Sequence, residues 1–387
     1  MSDNAPIPYS RQSITEADIE AVNAVLRSDF LTQGPAVPEF EKAFAESHAA
    51  DHAIAVCNAT AALHIACLAL GVGVGDLVWT VPNSFVASAN CARYCGADVD
   101  FVDIDSGSRN LSVAALEAKL AQATRIPKVV IPVDFAGLPC DLKEIRALAD
   151  QYGFKIIEDA SHAVGASYQG KPVGCQYADI SVFSFHPVKI ITTAEGGICT
   201  TNDDILAEKL RLLRSHGITR DSSLMESPSE GEWYYEQICL GFNYRMTDMQ
   251  AALGRSQLSR LATMQAARAA LAARYDILLA DLPIKLPHVP SDRTSAHHLY
   301  VVEIDSARTT AKRAEIFGAM RAANIGVNVH YIPIHLQPDY RRLGFGPGDF
   351  PIGEVYYDSA ITLPLFPEMT HAQQNRVVET LSSLFST

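Results

Sequence analysis

The spacing of apolar and polar positions changes period at regular intervals along this chain. Thr15 followed by Glu16, Ala17 and Asp18 reads as a helix N-cap with an acidic first turn, which predicts a helix to about Arg27. Leu31-Thr32-Gln33-Gly34-Pro35 breaks the pattern, and helical spacing resumes from Val37 to Ala49. Ile54-Ala55-Val56 is a short apolar run of strand type. It turns through Cys57-Asn58-Ala59-Thr60 into a strongly apolar helix, Ala61 to Leu70. Strands are then predicted at Leu77–Val81, Val99–Ile104, Lys128–Val133 and Phe154–Ile157. Helices are predicted between or beside them at Asn83–Tyr94, Val113–Gln122 and Leu142–Tyr152.

Strands alternating with helices at these intervals imply a mostly parallel sheet covered by helices on both faces. The fold class is therefore α/β. Asn202, Asp203 and Asp204 cap a further amphipathic helix, Ser215–Glu232 is polar and loop-like, and a long helical region runs from Asp248 to about Leu279. Strand signals at Leu299–Ile304, a helix at Lys312–Ala323 and a closing helix at Thr370–Phe385 suggest a smaller α+β unit. The expected division is a large domain over residues 1–250 and a small one over 251–387.

Composition narrows the function classes. The chain has 387 residues, 48% hydrophobic and 19% charged, with a formal charge of −13. It holds no block of Lys and Arg, so nucleic acid and anionic membrane surfaces are not the expected partners. The N-terminal stretch has no basic start followed by an apolar run, and no segment has the length of an apolar membrane span. The eight cysteines are scattered and lack paired metal-site spacing, so a cytoplasmic location and no metal are expected.

In parallel sheets, ligands bind beyond the carboxyl ends of the strands. Thr60, Phe85, Asp134, Asp159 and the Ser184–Lys189 loop all belong to such ends and are expected to share one rim. Lys189 lies between Val188, Ile190 and Ile191; losing water pushes an amine toward its neutral, nucleophilic form. The alternative is a lysine that snorkels from a half-buried strand. Strand alternation after Ile156-Ile157 turns Asp159 inward and Glu158 the other way. A lysine, a carboxylate to hold a pyridine nitrogen protonated, and helix-start donors for a phosphate are the parts that pyridoxal phosphate needs. Each has a plainer reading: Asp159 a turn cap, Phe85 a core aromatic, Ser184 a backbone partner, His162 a packed ring. By contrast, Gly71-Val72-Gly73-Val74-Gly75 follows a helix rather than a strand, which excludes a dinucleotide fingerprint.

Four stretches, Asn58-Ala59-Thr60-Ala61-Ala62-Leu63, Glu158-Asp159-Ala160-Ser161-His162-Ala163, Ser184-Phe185-His186-Pro187-Val188-Lys189 and Gly241-Phe242-Asn243-Tyr244-Arg245-Met246-Thr247-Asp248, resemble the motifs of the DegT/DnrJ/StrS sugar aminotransferases. Those are fold type I pyridoxal phosphate enzymes acting on nucleotide-linked ketosugars. Ile7–Gln12, Ser28–Pro35, Arg214–Arg220 and Gly326–Tyr331 further resemble the branch of that family in the pseudaminic acid pathway. The resemblance implies that Lys189 bonds the cofactor and shuttles the proton. It also implies that Asp159 pairs with the pyridinium, His162 lies by the ring hydroxyl and Phe85 stacks on the ring. Ala59, Thr60 and Ser184 would hold the phosphate, with Asn243 contributed by the other subunit of a homodimer. The implied substrates are UDP-2-acetamido-2,6-dideoxy-β-L-arabino-hexos-4-ulose, aminated at C4, and L-glutamate. Arg11, Arg220 and Arg245 are candidate cations for the UDP, and Tyr9, His330 and Tyr331 complete the expected substrate contacts.

Two residues depart from the family pattern. Ala194 stands where glycine commonly precedes Glu195-Gly196-Gly197, at a cost of about 1 kcal/mol if that position needs a positive φ. Asp134 stands where many relatives carry histidine. Three other readings stand beside this one: a dehydratase of the same fold, a non-catalytic regulator, and amination at C3 or of a dTDP-sugar. The retained Lys189 and the absence of a cluster-type cysteine set argue against the dehydratase. The intact lysine, aspartate and phosphate motifs argue against the regulator.

Overall fold

The structure, a computed structural model, describes residues 5–174 and 176–385. Its centre is a seven-stranded sheet built from β1 His52–Val56, β2 Leu77–Thr80, β3 Asp98–Phe101, β4 Val129–Ile131, β5 Lys155–Asp159, β6 Ile180–Ser184 and β7 Gly197–Thr201. The strand order is β1-β7-β6-β5-β4-β2-β3. Pairs β3–β2, β2–β4, β4–β5 and β5–β6 are parallel, and β7 runs antiparallel to both β6 and β1. Neither β6 nor β7 stood among the strands read from the sequence. Their fully buried, unalternating runs carry no period to mark them.

Side-chain alternation assigns the two faces of the sheet. Val129, Ile131, Ile157, Ile180 and Val182 pack with helices α3 Ala59–Ala69, α4 Ala87–Tyr94 and α7 Asp204–Arg214. Trp79, Val130 and Ile156 face the other way, onto helices α5 Val113–Gln122 and α6 Leu142–Tyr152. Helix α6 stops at Gly153 in the left-handed conformation, φ +85°. Near β6 the second face is closed by α2 Ala36–Ser47, whose Phe40 and Phe44 meet Phe183 and Phe185 edge to face. α1 Glu16–Leu26 packs on α8 Asp248–Ser259.

The long helical region predicted from Asp248 is two helices, α8 and α9 Leu261–Leu278, separated at Arg260 (φ −107°, ψ 6°). The Arg260 side chain is held there by the buried carboxylate of Asp18, 2.7 Å away. The predicted helix at Asn83 starts only at Ala87, and Ser84 and Phe85 before it line a cavity. The polar stretch after Ser215 contains a short hairpin in which Ile218–Thr219 pairs with Glu236–Gln237.

The C-terminal part forms a second core. Strands β8 Ile284–Lys285, β9 Tyr300–Ile304 and β10 Ala360–Leu363 make an antiparallel sheet. It packs with α9, α10 Arg313–Ala322 and α11 His371–Ser383. Ile7 joins this core and bridges to Ile325, and the N-terminal segment then passes the loop after β6, where Ser10 donates to the Val188 carbonyl at 3.1 Å, before α1 begins. Among the described residues no helix is long and apolar enough to cross a membrane.

Candidate active site

The carboxyl ends of β1, β5 and β6 and the start of β7 meet at one rim. Register explains the meeting: Gly197 lies opposite Val56 on one side and Ser184 on the other. After Val56 the chain turns into α3, with Asn58 as N-cap accepting from the Ala61 amide at 2.8 Å. The Ala59 and Thr60 amides open the helix and have no partner among the described residues. A Cβ on Gly197 would stand 2.6 Å from the Ala59 nitrogen, so only glycine lets β7 start this close to the helix.

A cavity of 500 Å³ opens at this rim. Of the residues expected to form a site, it is lined by Tyr9, Ala59, Thr60, Phe85, Asp159, His162, Ser184, Lys189, His330 and Tyr331. Asn243, Arg11, Arg220 and Arg245 do not line it within the single chain; Asn243, Arg11 and Arg220 are exposed. Asp134 is not on the rim as expected. Its buried carboxyl lies beneath the cavity, where burial and then the neighbouring Glu158 push it well above the usual carboxylate range. One proton shared by the two acids satisfies both. A larger groove between α1, α2 and α8 is lined mainly by alanine and serine; its one ion pair among the described residues, Arg255 with Glu39, is exposed, and the groove holds no lysine.

Lys189 sits in the loop after β6, its backbone amide bonded to the His186 carbonyl at 2.9 Å. Its amine makes no hydrogen bond to a described residue. Burial lowers its pKa to about 8, against the pull of Asp159, which favours the charged form. Asp159 is 4% exposed, and its carboxylate accepts from Ser88 Oγ at 2.7 Å and the Ser161 amide at 3.2 Å. Its backbone is clamped between the Pro132 carbonyl and the Asp134 amide. Glu158 points to the opposite face and accepts from Ser181. Phe85 is 58% exposed although it is aromatic and stands on the cavity wall, so it is not a core residue.

The far wall is built of neutral rings. His162 Nδ1 accepts from the Ala136 amide at 3.3 Å, so the neutral ring carries its proton on Nε2 and donates to Tyr331 Oη at 3.2 Å. The Tyr331 hydroxyl proton is left free for the cavity. His330 Nε2 accepts from Asn328 at 3.3 Å, and its Nδ1 donates to Thr362 at 2.7 Å. Burial, and then the charge of Lys189, push the His330 pKa down to about 3; burial also holds His162 and His298 well below the usual histidine value. Among the residues lining the cavity Lys189 is the only lysine or arginine, and Asp159 and Glu195 are the acids.

Several lining residues escaped the sequence reading. His298 is 2% exposed, its ring 4.4 Å from that of His162, and its Nδ1 has no hydrogen-bond partner among the described residues. Nothing in its local sequence marks it out. Ser88 escaped it too: the helix read from Asn83 begins only at Ala87, and Ser88 stands in its first turn with its amide on the Phe85 carbonyl at 3.2 Å.

The DegT/DnrJ/EryC1/StrS aminotransferase family model matches residues 12–382. The chain belongs to this family. The aminotransferase is 39% identical over 381 residues to the spore coat polysaccharide biosynthesis protein SpsC of Bacillus subtilis, covering 98% of this chain and 97% of that one. Among solved structures it is similar to Helicobacter pylori PseC, an aminotransferase involved in the biosynthesis of pseudoaminic acid. That match has a TM-score of 0.91 and 31% identity, over 99% of this chain and 100% of the other. The putative sugar aminotransferase Spr1654 of Streptococcus pneumoniae in its PLP form matches with a TM-score of 0.89 and 30% identity, over 99% of both chains.

This aminotransferase uses pyridoxal phosphate, and its cavity has the chemistry to hold it. Two unpartnered amides at a helix start suit a phosphate, and an exposed aromatic face suits a flat ring. A buried carboxylate suits a pyridinium, and an amine with a lowered pKa suits an aldehyde.

Proposed function

We propose that this aminotransferase moves the amino group of L-glutamate to C4 of a UDP-linked 4-keto-6-deoxy-N-acetylhexosamine, UDP-2-acetamido-2,6-dideoxy-β-L-arabino-hexos-4-ulose. The products are 2-oxoglutarate and the UDP-linked 4-amino-4,6-dideoxy-N-acetyl-β-L-altrosamine. The observation that carries the reading is the half-buried Lys189 amine, lowered to about 8 and facing the buried Asp159 across one cavity.

Bound pyridoxal phosphate supplies an aldehyde for amines and, when protonated on its ring nitrogen, a sink for the electron pair left by a departing proton. Asp159 keeps that ring proton in place. The amides of Ala59 and Thr60, with Ser184, hold the phosphate, and Phe85 covers the ring. Lys189 in its neutral form takes the proton from the carbon bearing the donor nitrogen and returns one to the cofactor side. Its apolar neighbours Ile190 and Ile191, both buried, keep the amine from being held protonated by water. His162 lies on the hydroxyl side of the ring and orients Tyr331, whose free proton points to a substrate oxygen.

The sugar half of the cavity presents Tyr9, Tyr331, His298 and His330, all uncharged. Neutral donors and acceptors of this kind match a hydroxylated ring. They do not match a diphosphate, which needs cations. Arg11, Arg220 and Arg245 lie outside this chain's own cavity, as does Asn243. We therefore read the working form as a homodimer whose second copy closes each site and brings those groups to the UDP and the phosphate. The reading is of a cytoplasmic enzyme.

The test is incubation of the purified protein with L-glutamate and a panel of UDP- and dTDP-linked 4- and 3-ketosugars, with products identified by mass and NMR. The UDP-linked 4-ketosugar is expected to give a 4-amino product with matching 2-oxoglutarate. Turnover only of a dTDP-sugar, or amination at C3, would overturn the assignment of substrate while leaving the chemistry intact.

A further inference from the structure

Asp159 does not stand alone. Behind it, Ser88 Oγ lies 2.7 Å from Asp159 Oδ2, and Ser84 Oγ lies 2.7 Å from Ser88 Oγ. All three side chains are nearly out of solvent: Ser84 is 4%, Ser88 1% and Asp159 4% exposed. Counting hydrogens fixes the direction of the chain. An ionised carboxylate only accepts, so Ser88 must spend its one hydroxyl hydrogen on Asp159. It then has none for Ser84, and Ser84 must donate to Ser88. The run Ser84 to Ser88 to Asp159 is therefore directed, each bond polarising the next.

The run also ties two parts of the cavity together. Ser84 and Ser88 flank Phe85, with the Ser88 amide bonded to the Phe85 carbonyl at 3.2 Å. The start of α4 thus carries both the exposed ring and the donor to the acid. We propose that Ser88, driven by Ser84, is a positioning residue that fixes the rotation of the Asp159 carboxylate and keeps it a strong partner for the ring nitrogen. This rests on the reading above that Asp159 serves that nitrogen.

Without the Ser88 hydroxyl, Asp159 keeps only the Ser161 amide and is free to turn about its Cβ–Cγ bond. A weaker hold on the ring proton reduces the positive charge on the ring. The nitrogen joining lysine to cofactor then becomes more basic, since less charge repels its proton. The charged or titratable groups facing this position are Lys189, His162, His298, His330, Tyr331 and Glu195, and the Cys91 thiol donates to the Ser88 carbonyl at 3.3 Å; none of them is substituted by a change at Ser88.

The experiment compares holoprotein of Ser88→Ala, Ser88→Thr, Ser84→Ala and Asp159→Ala with wild type. Three quantities are measured: the pH midpoint of the visible cofactor band, the limiting rate and half-saturation for band loss on adding L-glutamate, and the thermal midpoint. Ser88→Ala is expected to move the band midpoint upward, in the direction of Asp159→Ala but by less. It should also slow the limiting rate roughly tenfold, with half-saturation nearly unchanged. Ser84→Ala should do the same more weakly, and Ser88→Thr should restore wild-type values. A wild-type band midpoint in Ser88→Ala overturns the proposal, whether or not stability falls, and so does a Thr variant that behaves like the Ala one. If Asp159→Ala itself leaves the midpoint unmoved, the role of Asp159 fails instead, and the two failures are told apart.

Discussion

Gly197 begins β7 directly against Ala59, the first residue of α3: a Cβ at Gly197 would lie 2.6 Å from the Ala59 nitrogen and from the Asn58 carbonyl carbon. That contact brings the helix start, with its free amides, to the same rim as Ser184. Gly197→Ala must push β7 and α3 apart. The expected outcome is a loss of about 1–3 kcal/mol in stability, from overpacking, together with at least tenfold weaker retention of pyridoxal phosphate. Denaturant unfolding and cofactor titration measure the two.

Phe85 separates a ligand-stacking residue from a core one. Its ring is largely exposed on the cavity wall, so Phe85→Ala should leave the unfolding free energy within about 0.5 kcal/mol of wild type. Cofactor affinity should fall roughly three- to tenfold, the worth of one aromatic stacking contact. A large drop in stability with unchanged affinity would return Phe85 to the core.

Ala194 adopts φ +65°, so an alanine occupies the left-handed region at the position where the family resemblance leads one to expect glycine. Its amide is bonded to Thr192 Oγ1 at 3.0 Å, which holds the turn in place. Ala194→Gly should be neutral to stabilising by up to about 1 kcal/mol, as relief of strain competes with the added freedom of the unfolded chain. Ala194→Val should destabilise, since a β-branched side chain tolerates this region least. Thermal melts of the pair decide it.

Burial pushes the Lys189 amine down to about 8 in the fold, while the unfolded chain returns it to the ordinary lysine value of about 10.4. Between those values the unfolded chain binds more protons, so stability rises with pH across the window. Below about 8 the full cost of burying the charged amine is paid. Lys189→Met should accordingly be more stable than wild type near pH 7, with the difference shrinking as pH rises from 8 toward 10. In the apo-protein, the rate at which Lys189 captures pyridoxal phosphate should climb with pH and level off above about 8. Flat profiles in both measurements would contradict the assignment.

The sequence was most informative where a residue's neighbours along the chain dictate its place. Asn58 as a cap and Asp159 at the end of an apolar strand are local facts, and each lies where local rules put it; Lys189 is not settled locally, because apolar neighbours suit a snorkelling lysine as well. What local rules cannot carry is contact between distant segments. His298 reaches the cavity only because the segment before β9 packs its ring against that of His162, which follows β5. Asp134 looked like a rim residue, yet its carboxyl accepts from the Cys140 amide at 2.8 Å, buried beside Glu158 and away from the cavity lining. The buried strands β6 and β7 lacked a period because helices or loops cover both faces. Arg260 divides the long helix because its partner, Asp18, lies on α1, far away in the chain.

The most direct test of the account is a single half-reaction. Holoprotein is mixed with L-glutamate alone, without any sugar, and the visible band and released 2-oxoglutarate are followed together in wild type and in Lys189→Ala. Wild type is expected to lose the band and release one 2-oxoglutarate per site; Lys189→Ala, which lacks the lysine–cofactor bond that gives this band, is expected to release no 2-oxoglutarate at a measurable rate. Release of 2-oxoglutarate by Lys189→Ala at the wild-type rate, or an unchanged band in wild type, would contradict the placement of Lys189 at the centre of the chemistry.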